Sequence, residues 1–364
     1  MSYTNGLDNP ELFFQTLTWS GNDSGTSRAF TFDGDENMSP NLVWTKIRTG
    51  WSADHNLFDS VRGAGKNLHS NSSEAEGTND QYGYVSSFDS DGFTVSNGSS
   101  GANPRYYNNE NGGTYVAWNW KAGTSFSNDA SATGIGTIDS SGSVSDAAGF
   151  SIVSYTGNST SGASIKHGLS SAVKFVVGKA INTAGEDWYT GHASNGFDKY
   201  IKLNDTHAAQ TFSGVFNDTA PNTSIVTLGS NGIINSSSYN YIMYCFAEKK
   251  GYSKFGSYTG NGNADGTFVY TGFKPAWVMV KRTDAAADWF IRDNKQDPEN
   301  VMNEYLSPNT TATSGNLDSF DFISNGFKIR NSNNAWNGSG NTYIYLAFAE
   351  APFVNSKGVP NNAR

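Results

Sequence analysis

One set of short words recurs three times, in the same order, along this chain. Each copy opens on an aromatic, hydroxyl, Gly, Asn turn, as Trp19-Ser20-Gly21-Asn22, Tyr155-Thr156-Gly157-Asn158 and Tyr258-Thr259-Gly260-Asn261. An apolar run ending in a cation follows: Leu42 to Lys46, Phe175 to Lys179 and Trp277 to Lys281. Next come an aromatic pair beside an acid (Phe58-Asp59, Asp187-Trp188-Tyr189, Asp288-Trp289-Phe290) and a tight turn (Ser90 to Phe93, Ser230 to Ile233, Ser324 to Phe327). An aromatic strand closes each copy, at Tyr115 to Trp120, Tyr241 to Glu248 and Tyr343 to Glu350. A period of roughly 100 residues is too long for a solenoid unit and matches one small domain.

The fold class follows from what fills the copies. Short β-branched or aromatic runs, bounded by Gly and Asn turns about ten residues apart, read as strands. Forty glycines supply those turns, and charged residues at 16% are too few for long amphipathic helices. The expectation is an all-β protein of three tandem antiparallel β-sandwich repeats, jelly-roll or concanavalin-like, with few short helices. The boundaries are an amino-terminal arm and first repeat over 1–122, a Gly/Ser-rich linker over 123–149 whose Ile135, Ile138 and Val144 permit a paired strand, a second repeat over 150–252, a third over 253–352, and an irregular tail over 353–364. The arm reads as extended. One short helix is expected over Asp297 to Leu306, where an Asp cap precedes Pro298 and apolar residues recur four apart.

The closing strands are apolar on both alternating sets, which fits strands covered on both faces. One face should meet the copy's own core. The other, the Tyr and Ala set at Tyr343, Tyr345, Ala347 and Ala349, should meet a neighbouring copy or another chain.

Composition limits the chemistry. The lone Cys245 lies in an apolar strand, so neither a disulfide framework nor a Cys-based metal site is possible. A net charge of −9 with no basic run argues against a nucleic-acid partner. No stretch is apolar enough for membrane insertion, and the start lacks a secretory signal pattern. His55, His69, His167, His192 and His207 show no metal-ligand spacing. Asp33, Asp35 and Glu36 offer oxygen ligands for Ca²⁺, but Met38 and Trp44 occupy the glycine and closing-glutamate places of an EF-hand, and an acidic turn explains them better. Gly260-Asn261-Gly262 lacks the remainder of a phosphate loop, and no Gly-x-Ser-x-Gly elbow or repeated carboxylate pair is present.

Aromatic residues outside the repeated words are the better site candidates. Trp51, Tyr106, Tyr107 and Trp336 lie in Gly/Asn/Ser-rich surroundings, where a ring serves as a ligand contact or a subunit contact. Trp188 has a counterpart in Trp289 and reads as core.

The words Tyr3 to Leu12, Leu57 to Ala64, Tyr115 to Gly123, Phe216 to Pro221 and Ala349 to Phe353 resemble virion structural proteins of marine tailed bacteriophages over nearly the whole chain. That resemblance implies a non-enzymatic tail, fibre or particle-surface component with lectin-like β-sandwich folds, assembled in the host cytoplasm, and brings no catalytic residue with it. The expected partners are further copies of the chain, other virion proteins and, in the alternative of a receptor-binding or carbohydrate-binding module at a fibre tip, host surface glycan.

Overall fold

The computed structural model describes residues 7, 9–230 and 232–349. The far end of the arm, Asn231 and the expected tail lie outside the described residues. The protein is all-β, with several antiparallel sheets and three short helices among the described residues. Each repeat is a two-layer unit. Its inner sheet always contains four strands in the same spatial order: opening, closing, cation-bearing, and the strand that follows. The opening strands are Phe14–Ser20, Phe150–Thr156 and Ser253–Thr259, and the closing strands are Thr114–Trp120, Asn240–Ala247 and Thr342–Phe348. The cation-bearing strands are Leu42–Thr49, Val173–Ala180 and Trp277–Arg282, followed by Asn56–Asp59, Tyr189–His192 and Trp289–Asp293. A smaller outer layer covers each inner sheet and encloses a core of its own.

The opening word has a physical cause. Its aromatic ring stacks on the first tyrosine of the closing strand in every copy: Trp19 on Tyr115 at 5.5 Å, Tyr155 on Tyr241 at 5.1 Å, Tyr258 on Tyr343 at 5.0 Å. The glycine that follows must lack a side chain. A Cβ at Gly21, Gly157 or Gly260 would lie 1.9, 2.3 or 2.3 Å from a backbone oxygen of the facing loop. The next backbone N–H, at Asn22, Asn158 or Asn261, is accepted by the side chain of Asn109, Asn235 or Asn337.

The three inner sheets turn their second faces toward one another. Val116, Trp118 and Trp120 meet Ile242, Tyr244 and Phe246 and also Ile344, Leu346 and Phe348 in one central core, built from equivalent positions of the three closing strands. At its middle, Trp120, Phe246 and Phe348 form a triangle with sides of 6.4, 5.8 and 5.6 Å. A carbon-lined cavity of about 30 Å³ remains beside it.

The joints between repeats are equivalent too. Lys46 Nζ donates to Ala53 O in its own repeat and to Thr311 O in the third, at 2.6 and 2.9 Å. Lys179 Nζ donates to its own Glu186 O at 2.7 Å and to Ser73 O of the first repeat at 3.3 Å. Lys281 Nζ donates to its own Arg282 O at 2.8 Å and to Thr206 O of the second repeat at 3.2 Å. Backbone bonds from Ser314 to Arg48, Glu76 to Ile181 and Ala209 to Thr283 repeat the same step. First to third, second to first, third to second: a head-to-tail contact that closes after three steps is a ring, here made inside a single chain.

Those lysines give the fold a pH dependence. Burial pulls the Lys46 ammonium down to about 7, and Lys179 and Lys281 down to about 8, from 10.5. Burial likewise pulls His167 and His192 down to about 4. Between the folded and unfolded values the unfolded chain binds more protons, so stability rises with pH across each window. For the lysines that window runs from neutral pH to the usual lysine range. Urea midpoints are expected to be higher at about pH 9 than at about pH 6. An equal or lower midpoint at the alkaline pH would mean that the three ammoniums stay charged when buried.

Several expectations change. The outward set of the closing strands is the Ile, Leu and Phe set, and the Tyr and Ala set lines each repeat's own core. The apolar excess is therefore covered by the other two repeats, and its area no longer argues for a second chain. The segment 123–149 is not a free linker: Thr124–Asn128 and Ser140–Ser145 pair with each other and extend the second inner sheet beyond its opening strand. The helix expected over Asp297 to Leu306 is replaced by the strand Met302–Tyr305, paired with Gly315–Ile323. Asp297 does cap backbone N–H groups, but those of Asn303 and Glu304, too far along for a first helical turn. The aromatic–acid word of the first repeat lies at Asp54-His55, since His55 occupies the place of Trp188 and Trp289. Gly232 starts a short helix, Gly232–Asn235, where a tight turn was expected. Pro10–Leu12 forms a 3₁₀ turn within the arm.

Candidate functional site

The internal repeat supplies three versions of every position, so a site is sought where one copy departs from the other two. The loop before the closing strand is held in the same way in all three. Tyr115 OH accepts from Glu110 N–H and donates to Tyr106 O; Tyr241 OH accepts from Ser236 N–H and donates to Gly232 O; Tyr343 OH accepts from Gly338 N–H and donates to Asn334 O. Tyr106 is therefore equivalent to Gly232 and Asn334, and Tyr107 to Ile233 and Ala335. Trp51 follows Lys46 by five residues, where Lys179 and Lys281 are followed by Ala184 and Ala286. Only the first repeat places large rings at these sites.

These rings converge. Trp51 lies 5.0 Å from Tyr106, Tyr106 lies 5.9 Å from Tyr107, and Tyr82 joins both at 5.8 and 5.5 Å. Trp51, Tyr82 and Tyr106 are half-buried, while Tyr107 is buried beneath them. Their polar atoms turn inward: Trp51 Nε1 donates to Tyr106 O at 3.3 Å, Tyr106 OH to Ser52 O at 2.8 Å, and Tyr107 OH to Asp54 Oδ2 at 2.8 Å. Burial and the neighbouring Asp54 push the Tyr107 hydroxyl far above its usual range. Burial alone would raise the Asp54 carboxyl, but hydrogen bonds from Asn71 and Tyr107 and the nearby His69 and Lys46 bring it below its usual value. The patch thus presents carbon to solvent above a neutral tyrosine and an ionised carboxylate, beside the Lys46 joint between the first and third repeats.

Of the four aromatic residues singled out in the sequence, the structure brings three together and separates the fourth. Trp336 is 1% exposed in the third core, edge-on to Phe290 at 4.8 Å, with the Arg292 guanidinium 4.6 Å above its ring. It occupies the place of Asn108 and Ile234, whose backbone carbonyls receive the same bond from the opening residue. Its Asn-rich surroundings gave a false sign of exposure, because those asparagines tie loops to one another.

The DUF7483 domain, a domain of unknown function, matches residues 9–352. The chain belongs to the DUF7483 family. The match takes in all three repeats, so the DUF7483 unit is the closed ring rather than one sandwich. No curated protein and no solved structure matches.

The remaining candidates of this DUF7483 protein are placed as follows. Asp33 pairs with Lys295, with Nζ 2.9 Å from Oδ1. Glu36 Oε1 accepts from Asn9 Nδ2, and the Asp35 N–H donates to Glu11 Oε2. Among the described residues no group of three or more His, Cys, Asp or Glu side chains is placed to hold a metal. His55 and His192 lie inside inter-repeat joints, bonded to the carbonyls of Ser307 and Tyr345. Trp188 and Trp289 are core, as their pairing implies. Sequence reasoning missed Tyr82, and also Phe268 and Tyr270, which are 45% and 63% exposed on the edge strand Phe268–Tyr270 of the third outer sheet. Alternation with the buried Val269 was the available signal. No helix among the described residues is long and apolar enough to cross a membrane.

Proposed function

We propose that this protein is a non-enzymatic structural component of a tailed-bacteriophage particle, at its surface or in its tail or fibre, and that it grips a neighbouring virion protein through the Trp51, Tyr82 and Tyr106 patch. The particle role is supported by the sequence resemblance. The gripping surface is supported by one observation: Trp51 and Tyr106 are large half-exposed rings where the other two repeats carry Ala184 and Gly232, and Ala286 and Asn334. These rings are not needed to close the loop, because the other two repeats close it through the carbonyls of Gly232 and Asn334. A protein partner suits the patch better than a sugar. The polar atoms of Trp51, Tyr106 and Tyr107 are engaged inside the protein, which leaves the apolar ring surface typical of an interface anchor.

The test is the double variant Trp51→Ala/Tyr106→Ala in the full chain, with particle incorporation measured by mass spectrometry. Anchors of this kind contribute about 2 kcal/mol or more, so incorporation is expected to fall roughly 30-fold. Melting should change little, because these rings lie at the edge of the first core. Undiminished incorporation rejects the patch as the grip, and absence of the wild-type chain from particles rejects the virion role. Normal incorporation with lost host adsorption would assign the patch to a receptor-binding role.

A further inference from the structure

The second repeat departs from the other two at the edge beside its opening strand. In the first and third, the opening strand is the edge of the inner sheet; in the second, Thr124–Asn128 and Ser140–Ser145 continue the sheet past it. The addition creates a polar cleft of about 310 Å³ open to solvent.

Its floor is a row of hydroxyls. Ser127 faces Ser141 across one strand pair and Ser141 faces Ser154 across the next, so the three side chains stand on one face. Thr156 lies two residues beyond Ser154, on the same face, and donates to Asn240 Oδ1 at 2.9 Å. The Ser127, Ser141 and Ser154 hydroxyls make no hydrogen bond to protein among the described residues, and each can both donate and accept. Two carboxylates form the rim, and each is fixed by one oxygen. Asp129 Oδ1 accepts from Ala132 N–H at 3.0 Å and Ser131 Oγ at 2.7 Å, and Asp139 Oδ1 accepts from Ala130 N–H at 2.8 Å.

We infer that this cleft is a binding site for a neutral saccharide. A ligand suited to a row of hydroxyls between two fixed carboxylates must itself carry several hydroxyls, both donating and accepting. Carboxylates bind adjacent sugar hydroxyls in pairs and repel anions, which excludes phosphate or sulfate groups. The backbone under the serines is already held by the sheet, and the carboxylates by the short turn at Ala130–Thr133, so little backbone ordering opposes binding. The inference does not depend on the virion reading or on the aromatic patch, which lies in another repeat.

Saturation-transfer NMR and calorimetry on the full chain would use neutral oligosaccharides of glucose, galactose, mannose and N-acetylglucosamine as probes. At least one is expected to bind. Asp139→Asn keeps the acceptor for Ala130 but removes the charge, and should weaken binding about tenfold, near 1.4 kcal/mol. Ser141→Phe, at an exposed position, should abolish binding by filling the cleft while circular dichroism stays unchanged. Trp51→Ala should leave binding intact. If none of the four sugar series binds, or if binding survives Ser141→Phe, the inference is wrong. Loss of binding in Trp51→Ala alone would move the sugar to the aromatic patch and overturn it equally.

Discussion

Trp120→Ala is expected to cost about 3–5 kcal/mol and to destabilise all three repeats together, observed in calorimetry as one transition at lower temperature. The ring is 2% exposed and packs against Phe14 of its own repeat, Phe246 of the second, and Trp277 and Phe348 of the third. Removing it opens a cavity that no single repeat can close by collapsing, because its walls belong to three sheets joined in a ring. A tandem array of independent sandwiches would behave differently: only the first repeat would melt early, and two transitions would appear. That outcome would contradict the shared core.

Arg62→Met has an expected effect of similar size for an electrostatic reason. Asp59 is fully buried and accepts from Arg62 Nε at 2.5 Å, from the N–H groups of Val61 and Arg62, and from Tyr244 OH of the second repeat at 2.8 Å. Without the guanidinium, a charge remains buried with only neutral donors, a change that costs about 3–5 kcal/mol. The double variant Asp59→Asn/Arg62→Met should recover much of that loss, since asparagine still accepts from Tyr244 without a charge. Urea denaturation of the single and double variants measures both. A single variant as stable as the parent, or a double variant no better than the single, would show that the pair is not what secures this joint. The position is equivalent across the ring: His192 meets Tyr345 O of the third repeat, and Asp293 accepts from Trp118 Nε1 of the first.

The structure draws together rings that have no repeated counterpart and whose loops are anchored near the surface. Trp51, Tyr106 and Tyr107 met both conditions. Trp336 met only the first, because the loop that carries it folds inward over Arg292. Tyr82 was overlooked, since nothing in its own stretch announces that the loop before Tyr84–Asp89 comes beside the loop after Lys46. The hydroxyl row of Ser127, Ser141 and Ser154 was hidden for the same reason: it exists only once three strands are in register.

By itself the sequence determined the local grammar. It set the all-β class, the number of repeats, and the words that open and close each copy, because each is read from short stretches of neighbouring residues. It also established that both faces of the closing strands are covered. What covers the second face was decided only by the tertiary structure. Alternation along a strand says that two sets of side chains are apolar but not which set points to which neighbour, so the Tyr and Ala set was assigned outward when it faces inward. The closing of three repeats into a ring, with Lys46, Lys179 and Lys281 each reaching a carbonyl of the next, depends on contacts between residues 75 to 265 positions apart, a range at which one sequence carries no pairing information.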